Sequence, residues 1–234
     1  MIIESIRNTM YNLFTAVFVK MNHVNPIETG RITDHLFVIR TGTANFYIYK
    51  TDQGLVSFDS GFGKSQIKRE LCSLGIDPKS ITHLFLTHSD FDHANVLSVF
   101  ENAKIYLSSD EEQLINRKKA RKFGIFFNSR IKRQYHLLKD NDSVNIGSTK
   151  IRAIATPGHT VGSMSYLIDD KILIIGDAFR IINGKAFPIK LYNMDPEKHR
   201  ESIRKLAKLE NIELVCTGHR GFCDKFDEAI KDWK

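Results

Sequence analysis

Apolar positions fall along this chain in short runs, and the spacing within each run changes the element it predicts. Leu36–Arg40, Ala44–Lys50 and Leu55–Asp59 are rich in Phe, Val, Ile and Tyr and are separated by Gly-containing turns, which predicts three neighbouring β-strands. The period then lengthens. Ile67, Leu71 and Leu74 share one face of Lys64–Leu74 and Gly75 stops the pattern, so a helix is predicted there. Asp77-Pro78 turns the chain into the apolar run His83–Thr87. A helix is expected over Ala94–Phe100 and a strand over Lys104–Leu107. Ser108 and Ser109, followed by Asp110, Glu111 and Glu112, make a good helix start, with a hydroxyl cap ahead of acids at the positive end of the dipole. The rhythm then repeats, with strand Lys150–Ala155, a hairpin over Ser163–Ile175 turning at Asp169-Asp170, helix Pro196–Glu210, strand Glu213–Thr217 and a terminal helix. Periodicity by itself predicts mixed α and β structure, with no internal repeat, low-complexity segment or linker.

Candidate chemistry concentrates in Leu86–Asn95, which reads L-T-H-S-D-F-D-H-A-N. His88, Asp90, Asp92 and His93 fall within six residues, directly after a predicted strand. A strand stiffens the backbone and the turn after it splays successive side chains around one point. Imidazoles and carboxylates with no thiolate among them suit zinc, iron or manganese and argue against a Cys-type structural zinc site. A solvated polar turn is the bland alternative, but three later strands end in the same way. Ile151–Ala155 leads to Thr156-Pro157-Gly158-His159-Thr160, Lys171–Ile175 to Gly176-Asp177, and Ile212–Val215 to Cys216-Thr217-Gly218-His219-Arg220-Gly221. Glycine at these ends lets the backbone turn tightly and approach a ligand closely.

This ordered set resembles the metallo-β-lactamase superfamily, whose signature is T-H-x-H-x-D-H followed by separate His, Asp and His. The resemblance runs from about Leu36 to about Gly221. It implies an α/β fold, a four-layer αββα sandwich forming a single domain over 1–234, with the site at the edge between two sheets. It also implies two divalent metal ions, zinc first, with iron and manganese open. His88, Asp90 and His159 would hold the first ion, Asp92, His93 and His219 the second, and Asp177 would bridge them. Asp92 and Asp177 are the candidate catalytic carboxylates. Such ions lower the pKa of a shared water towards neutrality and polarise the oxygen under attack. One position departs from the signature: Asp90 stands where the family carries its second histidine, giving H-x-D-x-D-H. A carboxylate there adds negative charge and leans the site towards iron or manganese. The flavodiiron relatives carry a glutamate at that position, so the fold tolerates a carboxylate. From the motif alone, Asp90→His is expected to retain or raise zinc binding.

Composition sets bounds. The 234 residues, 42% hydrophobic and 26% charged, suffice for one large domain or two small ones with a proper core. Cys72, Cys216 and Cys223 form no C-x-x-C pair and read as reduced thiols of a cytoplasmic protein. Cys216 is close to His219 in sequence, but a buried structural role is the expected one. Tyr11–Val19 is moderately apolar, too short to span a membrane and bracketed by Glu4, Arg7 and Lys20, so neither an anchor nor an export signal is expected.

The charge is uneven. Eight bases and no acid lie between Arg117 and Tyr135, and without them bases and acids nearly balance, at 26 against 27. Phe123-Gly124-Ile125-Phe126-Phe127 sits inside this window. It reads either as an amphipathic lid that attracts an anionic substrate or nucleic acid, or as a solvated helix face. His23, His35, His83, His136 and His199 match no motif and read as surface or core histidines, while Arg180, Lys190 and Tyr192 are candidate substrate contacts.

The primary reading is a metal-dependent hydrolase of a small ester, thioester or lactone, similar to the glyoxalase II and acyl-homoserine lactonase branches. Its partner is a small-molecule substrate, possibly an anionic one in view of the basic window. A phosphodiesterase or nuclease is the alternative that the basic window would serve, although no RNA-binding insertion is evident. A non-hydrolytic di-iron or metal-binding protein is the third, although no flavin domain follows Gly221. β-Lactam hydrolysis is not expected without an export signal.

Overall fold

The computed structural model describes residues 24–121, 124, 128–189 and 192–234. The apolar stretch Tyr11–Val19, His23, Lys190 and, in the basic window, Lys122, Phe123, Ile125, Phe126 and Phe127 lie outside the described residues.

Strands β1 (Gly30–Arg31), β2 (Leu36–Arg40), β3 (Asn45–Thr51), β4 (Gly54–Phe58), β5 (Ile81–Phe85), β6 (Lys104–Ser108) and β7 (Tyr135–Leu138) lie side by side in that order. Pairing is antiparallel from β1 to β4 and parallel from β4 to β7. The second sheet begins with β8 (Ser143–Ile146), β9 (Thr149–Ala155), β10 (Met164–Ile168) and β11 (Ile172–Gly176). A separate hairpin, β12 (Arg180–Ile182) and β13 (Lys185–Phe187), precedes β14 (Leu214–Thr217) and β15 (Gly221–Cys223), which complete that sheet in the order β15-β14-β11-β10-β9-β8. The helices are α1 (Lys64–Ser73), α2 (Phe91–Ala94), α3 (Glu112–Ile115), α4 (Pro196–Ala207) and α5 (Phe226–Ile230).

Strand residues are apolar on both faces because both faces are covered. In β3, Phe46 and Ile48 pack outward with Ile67 and Leu71 of α1, while Tyr47 packs inward against the second sheet. In β11, Ile174 joins the core between the sheets, while Leu173 and Ile175 face Ile203 and Leu206 of α4. Three cores between four layers make the αββα sandwich expected from the resemblance. Phe58, Phe85 and Tyr166 stack at the centre of the inter-sheet core, with ring centroids 5.2–5.7 Å apart. Each such ring contributes roughly 2 kcal/mol by leaving water.

Two buried tyrosines fix the strand ends that lead to the site. The hydroxyl of Tyr166 donates to the carbonyl of Leu86 (2.8 Å), and that of Tyr47 to the carbonyls of Thr217 (2.8 Å) and Gly221 (2.9 Å). A buried phenol finds an acceptor, and here each acceptor lies on the opposite sheet.

The helix expected over Ala94–Phe100 is absent. The ligand motif itself makes the helical turn α2, and a separate short 3₁₀ turn covers Leu97–Val99. The reason lies in the backbone donors: Asn95 N–H goes to the carbonyl of Gly61 (3.2 Å) and Val96 N–H to Ser60 Oγ (3.3 Å), so neither continues the helix. The serine-led helix start is also displaced. The helix α3 begins only at Glu112, with Glu111 before it, and the Glu111 side chain is engaged elsewhere. The α4 helix starts as expected, with Asp195 accepting from the N–H groups of Glu197 and Lys198 and Pro196 at its first turn. The strands β1, β7, β8 and β15 and the β12–β13 hairpin carry too little periodicity to have been expected.

The basic window is not one solvated helix face. Among the described residues from 116 to 134 there is no α-helix, and two of the arginines turn inward. Arg121 is buried at the site, and Arg133 donates to the carbonyls of Leu97, Phe100, Glu101 and Ala103. Among the described residues, no helix is long and apolar enough to cross a membrane.

Candidate metal centre

Every predicted ligand lies on the segment that follows a strand at one edge of the sandwich, Asp92 and His93 within the short helix α2. His88, Asp90, Asp92 and His93 follow β5, His159 follows β9, Asp177 follows β11 and His219 follows β14. Gly218 allows the last approach: a Cβ there would stand 2.6 Å from Asp177 Oδ1 and 2.8 Å from His93 Cε1. Gly158, at φ +133°, likewise runs against the backbone of His199, where a Cβ would come within 2.4 Å of its N and Cα.

The seven side chains converge. His159 Nε2 lies 3.2 Å from Asp90 Oδ2 and 3.3 Å from Asp177 Oδ2, and His88 Nε2 lies 3.8 Å from Asp90 Oδ2. His219 Nε2 is 3.1 Å from Asp177 Oδ2 and 3.9 Å from Asp92 Oδ2, and His93 Nε2 is 3.5 Å from Asp177 Oδ1. A tetrahedral ion with ligands at 2.0–2.2 Å spaces its donors about 3.4 Å apart, and these separations bracket that value. Donor atoms group as His88, Asp90 and His159; as Asp92, His93 and His219; and as His88, His93 and Asp177, which joins the other two.

The buried His88 Nε2, His93 Nε2 and Asp177 Oδ1 have no hydrogen-bond partner, an expensive arrangement unless something else occupies the space between them. All four imidazoles are set with Nε2 inward. His93 Nδ1 donates to Asp59 Oδ2 (2.8 Å), His219 Nδ1 to the carbonyl of Thr43 (2.7 Å) and His159 Nδ1 to Asn193 Oδ1 (3.1 Å). Thr87 Oγ1 donates to Asp59 Oδ2 (2.8 Å), so it accepts from His88 Nδ1 at 3.0 Å. Each outer bond sets the ring's orientation and turns Nε2 towards the centre. Donor types, spacing and orphaned atoms all fit divalent metal ions.

The electrostatics agree. Burial, with His93 beside it, holds His88 well below the ordinary histidine range, so it is a neutral donor. For His93, burial works downward, but Asp177, Asp92 and Asp59 outweigh it and push the pKa up to about 10. Burial likewise opposes a raised value at His219, and Asp177 and Asp92 overcome it. In the metal-free protein the acids thus favour a proton on these rings, against which a cation would compete. Asp177 and Asp90 are both held far below the carboxylate range despite burial. The surrounding imidazoles do this for Asp177, and the hydrogen bond from His159 with the guanidinium of Arg121 does it for Asp90.

Residues that the motif does not announce carry much of the construction. Asp59, with a left-handed φ of 69°, accepts from Thr87 N (2.7 Å), from Thr87 Oγ1 and from His93. It could have been suspected, because it ends β4 as the ligands end their own strands. Buried Glu111 ties two ligand loops together, accepting from Ser89 N and Oγ on one side and from Thr160 Oγ1 and Gly162 N on the other. Asn128 Nδ2 donates to Asp90 Oδ1 (3.0 Å), and Thr43 Oγ1 to Asp92 Oδ2 (3.2 Å).

Arg121 Nη2 lies 3.1 Å from Asp90 Oδ2, while its guanidinium also donates to the carbonyls of His159 and Tyr192. Of the candidate substrate contacts, Tyr192 is exposed beside this clamp, and Arg180 is half-buried within the field of Asp177. Cys216 packs in the inter-sheet core, as expected, and is not in a ligand group. His35 and His136 are exposed, His83 and His136 stack on Tyr106, and His199 is buried beneath Gly158.

Comparison with known proteins agrees with this architecture. The family model of the metallo-beta-lactamase superfamily matches residues 39–219. A probable metallo-hydrolase of Methanocaldococcus jannaschii is 33% identical over 161 residues, covering 68% of this chain and 66% of that protein. A hydroxyacylglutathione hydrolase of Bartonella tribocorum is 28% identical over 144 residues, covering 58% of this chain and 47% of that protein. The matched segments thus span less than two thirds of either relative. Among solved structures, a B3 metallo-beta-lactamase described as having an active-site glutamic acid superposes with a TM-score of 0.71 at 18% identity, covering 93% of this chain and 90% of that one. This last likeness establishes the fold. The chain belongs to the metallo-β-lactamase superfamily. The relatives are themselves named as a probable metallo-hydrolase and a hydroxyacylglutathione hydrolase.

Proposed function

We propose that the chain hydrolyses a small ester, thioester or lactone, with two divalent ions, zinc first, held by His88, Asp90 and His159 on one side, Asp92, His93 and His219 on the other, and Asp177 between. The observation that carries this reading is the set of four imidazoles whose Nδ1 atoms are all engaged outward, around three buried atoms, His88 Nε2, His93 Nε2 and Asp177 Oδ1, that lack a hydrogen-bond partner. Bound divalent ions lower the pKa of a coordinated water and polarise the carbonyl under attack. The chain's own part is positional. Asp59, Thr43, Asn193 and Thr87 hold the rings, and Glu111 holds the loop after β5 against the loop after β9.

The relative named as a hydroxyacylglutathione hydrolase supports an acyl thioester as the first substrate to try. The three free cysteines support a reducing, cytoplasmic setting. The nuclease reading is the weaker one: Arg121 and Arg133 spend their charge inside the fold, which leaves Arg117, Lys118, Lys119, Arg130 and Lys132 as the exposed bases of the window among the described residues. A panel of an acylglutathione, an acyl-homoserine lactone and bis-p-nitrophenyl phosphate, run with elemental analysis of the purified protein, tests the proposal. Hydrolysis of an acyl substrate that is lost on chelation supports it. Turnover of the phosphodiester alone moves the chain to the nuclease branch.

A further inference from the structure

We propose that Arg121 ranks the two metal positions, so that divalent ions load in order, first on the His219 side and then, more weakly, on the Asp90 side. This rests on the metal centre proposed above and adds to it a residue that no ligand motif contains.

The oxygen that Asp90 presents to the centre is Oδ2, which faces His159 Nε2 at 3.2 Å and His88 Nε2 at 3.8 Å. Arg121 Nη2 sits 3.1 Å from that same oxygen. Its side chain is 3% exposed and cannot swing away, because Nη1 donates to the carbonyl of His159 (2.7 Å) and Nη2 to the carbonyl of Tyr192 (2.6 Å). A guanidinium is a fixed cation, so any ion that binds Asp90 Oδ2 shares its ligand with a positive charge and is repelled by it across a buried, weakly screened space. Asp90 and Arg121 together carry no net charge, like the neutral histidine of the family signature, but the donor oxygen remains divided between two cations.

The other side is built differently. Asp92 takes a neutral hydroxyl from Thr43 (3.2 Å) and His93 donates to the carboxylate of Asp59 (2.8 Å), while Asp177, shared by both sides, lies against the imidazoles of His93, His159 and His219. Arg180 feels the charge of Asp177 but stands half-buried, at the start of β12.

The test is metal uptake by the chelator-stripped full chain. Zinc and manganese are titrated separately against a chromophoric chelator, and bound metal is counted by elemental mass spectrometry. Wild type, Arg121→Met and Arg121→Lys are compared. In wild type, two steps are expected, separated by roughly tenfold or more. Arg121→Met should tighten the weak step by about tenfold and leave the tight one nearly unchanged, while Arg121→Lys, which keeps the charge, should keep the separation. Two equal steps in wild type, or both steps weakened alike in Arg121→Met, would overturn the ranking and reduce Arg121 to a structural clamp. Should Arg121→Met fail to fold, the wild-type steps and Arg121→Lys decide the matter. Wild type that binds no metal at all would refute the centre itself, and not only its order of filling.

Discussion

The Asp90 side and the His219 side of the centre perform the same task with different materials. On the His219 side the outer partners are neutral or anionic: the carbonyl of Thr43 for His219, its hydroxyl for Asp92 and the carboxylate of Asp59 for His93. On the Asp90 side a buried carboxylate meets a buried guanidinium, with Asn128 and Asn193 completing the shell. Neutral partners orient a ligand without competing for it. A cationic partner such as Arg121 orients it as well but competes with the ion, and buried ion pairs of this kind owe their stability to both members being present.

The most damaging change to this comparison is the one that removes what both sides share. Asp177→Asn takes away the carboxylate between the two groups, and metal content and hydrolysis should fall by more than the roughly 100-fold that bounds an outer-shell change. Asp90→His, promising from the motif alone, instead strands Arg121. The metal-free variant should lose on the order of 3 kcal/mol in urea denaturation, whereas an unchanged midpoint would show that the two carbonyl acceptors suffice for the guanidinium.

His199 offers a pH test beneath His159. Burial lowers its pKa to about 4, so the unfolded chain binds more protons between pH 6.5 and 4. Stability of metal-free protein should therefore be lost as pH falls through that window, by on the order of 3 kcal/mol, and His199→Gln should flatten the slope. Next comes Asp59→Asn, which weakens the orientation of His93 and should lower metal affinity 10–100-fold. At the small end, Thr43→Val removes one hydroxyl donor to Asp92 and leaves the carbonyl that holds His219 in place. About 1 kcal/mol, or a few-fold in affinity, is expected by chelator competition.

Much of this was legible in the residues. The H-x-D-x-D-H run after one predicted strand pointed to four of the donors, and strand runs ending in glycine and then a histidine or aspartate to the other three, while the sandwich followed from the family resemblance these motifs carry and not from periodicity. What stayed hidden is whatever depends on burial and long-range proximity. Arg121 sits among solvated bases in sequence, and nothing local says that it turns inward to a carboxylate 31 positions earlier. Asn193 lies 34 positions from His159, in a segment with no periodicity. The helix expected over Ala94–Phe100 failed for a related reason: its apolar spacing was real, but the carbonyl of Gly61 and the hydroxyl of Ser60 took the donors that would have extended it.

The seven donors divide between the halves of the sandwich, four after β5 in one sheet and three after strands of the other. An ion held among them is therefore a rivet across the seam, set beside the single phenolic ties of Tyr47 and Tyr166. For the centre proposed above, stripping the ion is expected to loosen this joint as well, which limited proteolysis of stripped and metal-loaded protein would read. The proposed centre would then tie the lifetime of the folded molecule to the supply of its ion.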